Sequence, residues 1–109
     1  MLENSKYIVI LSTTSNAEEA TRIAEKLVTD RLVACVNIIP GIQSIYWWNN
    51  GVQNEQEVLM IMKTEKSRYE DVERAIKSLH SYEVPEIISL PLENGSEGYL
   101  KWIENTLKS

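Results

Sequence analysis

The stretch "HSYEVPEII", residues 80–88, holds the only histidine of the chain, His80, with Tyr82, Glu83, Pro85 and Glu86 close behind it. Three roles suit such a histidine: a metal ligand beside carboxylates, an acid–base catalyst, or the closing residue of a helix. Zinc and copper sites take three or four ligands at converging positions, most of them N or S. The chain supplies one His and one Cys. What surrounds His80 is oxygen, from Glu83 and Glu86. Such a set binds Cu(II), zinc or nickel modestly and calls for further donors from a second subunit. As a helix end, a charged His80 would interact favourably with the macrodipole by about 0.3–1 kcal/mol, and Pro85 would stop the helix. The helix-end role is the preferred reading, with weak metal ligation beside it.

A second group lies on "EVLMIMKT". Glu57 and Lys63 share one strand face with Leu59 and Ile61 between them. Rim charges or a structural pair explain them most simply. A sharper reading joins Lys63 to the helix N-terminus near Ser67 as an anion site, although no Gly-rich phosphate loop accompanies it. Trp48, Tyr82, Tyr99 and Trp102 are candidates, with Lys63 and Glu57, to line a cleft between subunits; core or interface packing is the commoner role for such aromatics. Cys35, between Ala34 and Val36, reads as a small buried hydrophobe. A nucleophile needs a neighbouring base, and no nucleophile elbow is present. No enzyme is expected, and no cofactor is required beyond an optional divalent cation such as Cu(II).

The elements that must position these residues follow from hydrophobic period. "KYIVILSTT" reads as a buried strand. Ala17, Ala20, Ile23, Ala24, Leu27 and Val28 recur at helical spacing, after candidate caps Ser15 and Asn16 with Glu18 and Glu19 as box partners. A second strand starts at Leu32, is bent at Pro40–Gly41 and runs on to Trp48. "NNG" at 49–51 is a hairpin turn, and "VQNEQEVLMIMKT" is the third strand. Ser67 with Glu70 caps a second helix carrying Tyr69, Val72, Ala75, Ile76 and Leu79. "EIISLPL" is the fourth strand, and a last helix carries Leu100, Ile103 and Leu107. The order βαββαβ plus a helix predicts an α+β, ferredoxin-like sandwich with the first two strands parallel and the third between them. That topology sets Cys35 and His80 about a helix length apart, ~20 Å, so the two cannot share a metal within one chain.

The bulk properties agree with one soluble unit over residues 1–109. The chain is 43% hydrophobic and 25% charged, an ordinary globular balance. A net charge of −5 with no clustered Lys and Arg argues against nucleic-acid binding. The apolar run "KYIVIL" is too short for a membrane span or a signal segment, so no membrane partner is expected. A single cysteine fits a reducing compartment, and the expected location is cytoplasmic.

Two features call for more than one subunit. Val33 to Trp48 could span ~50 Å as a strand, whereas the helix from Glu18 to Thr29 covers only ~18 Å. The hairpin must overhang the sandwich, yet its far end carries Ile42, Ile45, Tyr46, Trp47 and Trp48. The second strand is also apolar at both parities, from Val33 to Ile39, where an open sheet face should alternate. Identical subunits are the expected cover; a ligand pocket around Trp47 and Trp48 in a monomer is the alternative.

"LVACVNIIPGIQSIYWWNNG", "EVLMIMKT", "LHSYEVPEII" and "YLKWI", in this order, resemble the CutA divalent-cation tolerance family over nearly the whole chain. The resemblance implies a ferredoxin-like subunit in a homotrimer similar to the PII signalling proteins, with the long hairpin embracing a neighbour. Some relatives have cysteine where Ser12 stands and histidine where Leu79 stands; this chain lacks both, which weakens a soft copper site. The function expected is a non-enzymatic, homotrimeric part in divalent-metal (copper) tolerance with weak metal binding. The alternative is a PII-like signalling module that binds a small anion in the cleft between subunits.

Overall fold

Residues 5–108 are described by the structure, a computed structural model. The strands are β1 (Tyr7–Thr14), β2 (Cys35–Trp48), β3 (Gly51–Glu65) and β4 (Ile87–Pro91). The helices are α1 (Ala17–Thr29), α2 (Tyr69–Leu79) and α3 (Glu97–Lys108). The sheet order is β2-β3-β1-β4. β3 pairs antiparallel with both β1 and β2, and β4 with β1. β1 and β2 are therefore parallel with β3 between them, as a right-handed helical crossover requires. This is the ferredoxin-like α+β arrangement with one helix added.

One sheet face is closed by α1 and α2. Ile8, Ile10, Val58, Met60 and Met62 alternate inward and pack against Ala20, Ile23, Leu27, Val72 and Ile76. The opposite face is partly covered by α3, through Ile103 and Leu107 against Tyr7, Ala34 and Leu100. The last carbonyls of α3 are held by cations, as a helix C-terminus favours: Arg31 donates to Thr106 O at 3.1 Å and Arg68 to Leu107 O at 2.8 Å. Beyond α3 the face is apolar and, among the described residues, uncovered. Ile88 and Leu90, paired with Leu11 and Val9, are each 51% exposed.

The overhang is present. The β1–β3 ladder ends at Thr14↔Val58, so residues 51–57 of β3 pair only with β2. Trp47 at 68% and Ile45 at 64% are open along this arm. The radius of gyration, 14.5 Å, exceeds the ~13 Å of a compact chain this long. The register breaks between Ile39 and Ile42, where Gly41 has φ +74. Pro40 causes no ladder loss because β2 is an edge strand. Asn49 and Asn50 both take positive φ, 52 and 60, between the paired Trp48 and Gly51, which makes a two-residue turn of the primed kind.

Two boundaries differ from expectation. β2 starts at Cys35 rather than Leu32, because Arg31 turns the chain at φ 58. The Leu32 and Val33 N–H groups both return to Leu27 O, and Thr64 Oγ1 donates to Leu32 O at 2.7 Å. Ser67 does not cap α2. It lies inside a 3-10 turn, Lys66–Arg68, and α2 begins after Arg68 without a side-chain cap. The α1 cap is Asn16, whose Oδ1 accepts the Glu19 N–H at 2.8 Å.

Candidate functional site

His80 ends α2, its N–H bonded to Ile76 O at 2.9 Å, and its side chain is fully buried. The ring reaches the end of β1, where Nε2 lies 2.7 Å from Thr13 O. A carbonyl only accepts, so Nε2 carries the proton. Nδ1 accepts the Tyr82 N–H at 3.0 Å, so it holds none. The imidazole is the neutral Nε2–H tautomer with both nitrogens engaged, and no lone pair is left for a metal. The helix end is where the sequence places it, but a neutral ring stabilises it by hydrogen bonds rather than by charge against the macrodipole. Glu19 Oε2 sits 3.6 Å from Nδ1.

Tyr82 leans on the His80 ring, centroids 4.7 Å apart, and donates its hydroxyl to Glu57 Oε2 at 2.7 Å. Glu57 is buried, 8% exposed. Burial, then the bond to Glu57, pushes the Tyr82 phenol above the usual tyrosine range. Both residues line a cleft of about 920 Å³ between the hairpin arm and the segment after α2. Trp48, Tyr46, Glu55, Glu83 and Glu86 also line it, and no Lys, Arg or His does so among the described residues. Tyr46 donates to Glu55; that bond first, then burial, raises its phenol to about 12.

The cleft therefore gathers Trp48, Glu57, Tyr82, Glu83 and Glu86. The structure does not bring Lys63, Tyr99 or Trp102 to it within one chain. Lys63 Nζ donates to Asn37 Oδ1 and lies 4.0 Å from Cys35 Sγ. Tyr99 stacks at 5.5 Å on Trp102, and its phenol is raised by burial and then by Cys35 beside it. Cys35 is half-buried, more open than expected, because it begins an edge strand. Cys35 pairs with Lys63, and Lys63 with Val9. From Val9 the chain runs on along β1 to Thr13, which holds His80, and that stretch of strand alone covers ~13 Å. Among the described residues no three His, Cys, Asp or Glu side chains converge on a metal position.

Glu19 belongs to the site although its sequence context does not mark it as a site residue. Its Oε2 accepts the Ser81 N–H at 2.6 Å, tying the start of α1 to the segment that carries Tyr82. Burial pushes its carboxyl up, but the Ser81 bonds and His80 outweigh this and hold it below the usual range. Its signal in sequence, a glutamate three residues after Asn16, is indistinguishable from an ordinary capping residue. Glu55 and Tyr46 are also not legible as cleft residues, because alternation on an unsupported hairpin arm does not say which face is lined.

A ferredoxin-like chain with an exposed apolar sheet face, an overhanging hairpin and an acidic, aromatic cleft is the class that fold and site define. The chain belongs to the CutA1 divalent ion tolerance protein family, whose model matches residues 8–106. It is 46% identical to the divalent-cation tolerance protein CutA of Thermus thermophilus over 99 residues, 90% of this chain and 96% of that one. The crystal structure of CutA1 from Oryza sativa superposes with a TM-score of 0.91 at 41% identity, covering 94% of each chain. The structure of the periplasmic divalent cation tolerance protein CutA from Archaeoglobus fulgidus gives 0.90 at 39% identity, over 93% and 98%. The chain spans 57% and 62% of the chloroplastic CutA proteins of Oryza sativa and Arabidopsis thaliana, to which it is 42% and 41% identical. Among the described residues no helix is long and apolar enough to cross a membrane.

Proposed function

We propose that the protein acts in divalent-metal tolerance as a non-enzymatic homotrimer of one CutA-like domain. In this reading it takes up cations such as Cu(II) weakly at the acidic cleft. The observation that carries this reading is the lining of the cleft: Glu55, Glu57, Glu83 and Glu86 with no basic side chain among the described residues. Carboxylate oxygens suit hard or borderline divalent cations, and their summed field draws cations in. Glu83 and Glu86 are the proposed ligands, completed by donors of a neighbouring subunit. His80 is left out, since its ring nitrogens serve Thr13 and Tyr82.

The PII-like alternative, a small anion bound in the cleft, has less support. Its one cation, Lys63, is bonded to Asn37 and is absent from the lining. The non-enzymatic reading is favoured by the distance between Cys35 and the only imidazole. A cytoplasmic setting is proposed from the unpaired Cys35, to be checked by fractionation.

The experiment is native mass spectrometry of untagged protein prepared without chelator, then calorimetric titration with Cu(II) and Zn(II). A trimer whose modest cation affinity falls about tenfold or more in Glu83→Gln/Glu86→Gln supports the reading; removing a carboxylate ligand at a cost of ~1.4 kcal/mol gives that factor. A monomer overturns the assembly. Undiminished cation binding in the double variant overturns the site. Binding of inorganic phosphate or a nucleotide that is abolished in Lys63→Ala would favour the alternative.

A further inference from the structure

The His80 ring is fully buried, and two groups stand close to one of its nitrogens. Nδ1 accepts from the Tyr82 amide at 3.0 Å, while a carboxylate oxygen, Glu19 Oε2, waits 3.6 Å away. That carboxylate is held in place by the Ser81 N–H at 2.6 Å. We propose that His80 is a pH-sensitive latch on the cleft, in which protonation of Nδ1 moves this nitrogen from the Tyr82 amide to the Glu19 carboxylate and releases Tyr82 from Glu57.

The chemistry at Nδ1 forces the choice. Once protonated, Nδ1–H points at the Tyr82 N–H, donor against donor, and the amide loses its acceptor. The new proton finds Glu19 instead, and the ion pair offsets the cost of charging a buried ring. Nε2–H keeps Thr13 O in both states. The groups that face the imidazole are few. Glu19 comes from α1, the Thr13 carbonyl from β1, and Ser81 and Tyr82 from the segment after α2. Glu57 of β3 stands behind the Tyr82 hydroxyl. Glu19 stays ionised at mildly acidic pH, since its carboxyl is held low.

The consequence reaches the cleft through Tyr82, since the bond from Nε2–H to Thr13 O, the other link to the lining, is kept in both states. The Tyr82 backbone is fixed by His80, its ring lies against the imidazole, and its hydroxyl is the hydrogen-bond donor that satisfies buried Glu57. When the backbone moves, Glu57 is freed to accept a different donor or a cation. The latch depends on the reading of the cleft as a binding site only for that last step; the rearrangement itself is read without any ligand.

The test is NMR of the full chain with ¹⁵N-labelled histidine and amides, between neutral pH and the onset of acid unfolding. At neutral pH the His80 ring should show the Nε2–H tautomer. On acidification the ring nitrogens should become those of an imidazolium, and the Tyr82 amide should move with the same midpoint. Its protection from solvent exchange should fall roughly tenfold, the equivalent of one net hydrogen bond. In Glu19→Gln both changes should shift together to lower pH. In His80→Gln the Tyr82 amide should no longer respond. Three results overturn the latch: a ring that stays neutral until the protein unfolds, a ring that titrates while the Tyr82 amide stays still, or a midpoint unchanged in Glu19→Gln. Failure of cation binding with the rearrangement intact would count against the cleft and leave the latch standing.

Discussion

The Glu19 carboxylate accepts the Ser81 N–H at 2.6 Å across a gap of 62 residues in sequence. It fastens the first turn of α1 to the segment leaving α2, and through Ser81 it sets where His80 and Tyr82 stand. A buried charge-assisted bond of this kind contributes about 1.5–3 kcal/mol net. Glu19→Gln keeps an acceptor but loses the charge, so urea denaturation at pH 7 should show a loss of about 1–2 kcal/mol. The folded carboxyl is held below its ordinary value. Its contribution is therefore fully present above the unfolded carboxylate range and disappears as pH falls through the folded value. The gap between wild type and Glu19→Gln should close on acidification; a gap constant down to acid unfolding would remove the charge from the account.

All five tyrosines have phenols raised above the ordinary value. For Tyr7, Tyr69, Tyr82 and Tyr99 burial is the largest cause, and for Tyr46 it is the bond to Glu55. A raised folded value favours the neutral phenol in the native state. That stability is complete below the unfolded value near ~10 and is lost as pH rises through the folded ones. Spectrophotometric titration should place the phenolate transitions of the folded protein above the ordinary tyrosine range, with Tyr46 ionising at about 12 if the fold survives that far. A phenol that titrates normally in the native state would contradict the packing described for it.

Much of the fold is written in local chemistry, and the site is not. Pro40–Gly41 and Asn49–Asn50 declare a bulge and a turn because few residues tolerate the backbone angles found there. The overhang follows from comparing strand and helix lengths. Ser67 reads as a cap because a serine in a 3-10 turn and a serine cap look alike in sequence. Lys63 reads as a neighbour of Tyr82 because period two along β3 gives the face and not the position; Glu57 and Lys63 share a face but stand at opposite ends of its apolar run. The tautomer of His80 depends on Thr13 and Tyr82, one of them 67 positions away, and no pattern announces that.

Two glycines test the backbone argument with opposite signs. A Cβ at Gly41 or at Gly98 would meet nothing within 4 Å, so sterics against neighbours are absent at both. Gly41 has φ +74, where an L side chain is strained by about 1–2 kcal/mol. Gly98 lies in α3, where alanine restricts the unfolded chain and favours the helix by about 0.4–1 kcal/mol. Gly41→Ala should lower the urea midpoint and Gly98→Ala should raise it, with unchanged slopes. Shifts of the same sign would mean that the Pro40–Gly41 bend is not the conformation in solution.

Leu90 separates a bare sheet face from a covered one. It sits on edge strand β4 opposite Val9 and is 51% exposed in one subunit. If the face met only water, Leu90→Asp would change stability by no more than about 0.5 kcal/mol, as surface substitutions do. In the proposed trimer the aspartate would be driven into an apolar interface without a partner, and a lone charge buried in that way costs several kcal/mol. Native mass spectrometry should therefore show Leu90→Asp as a folded monomer where the parent is a trimer, with circular dichroism unchanged. A variant that assembles like the parent would move the interface off this face and leave the hairpin arm, with Trp47 and Ile45, as the surface that must be covered.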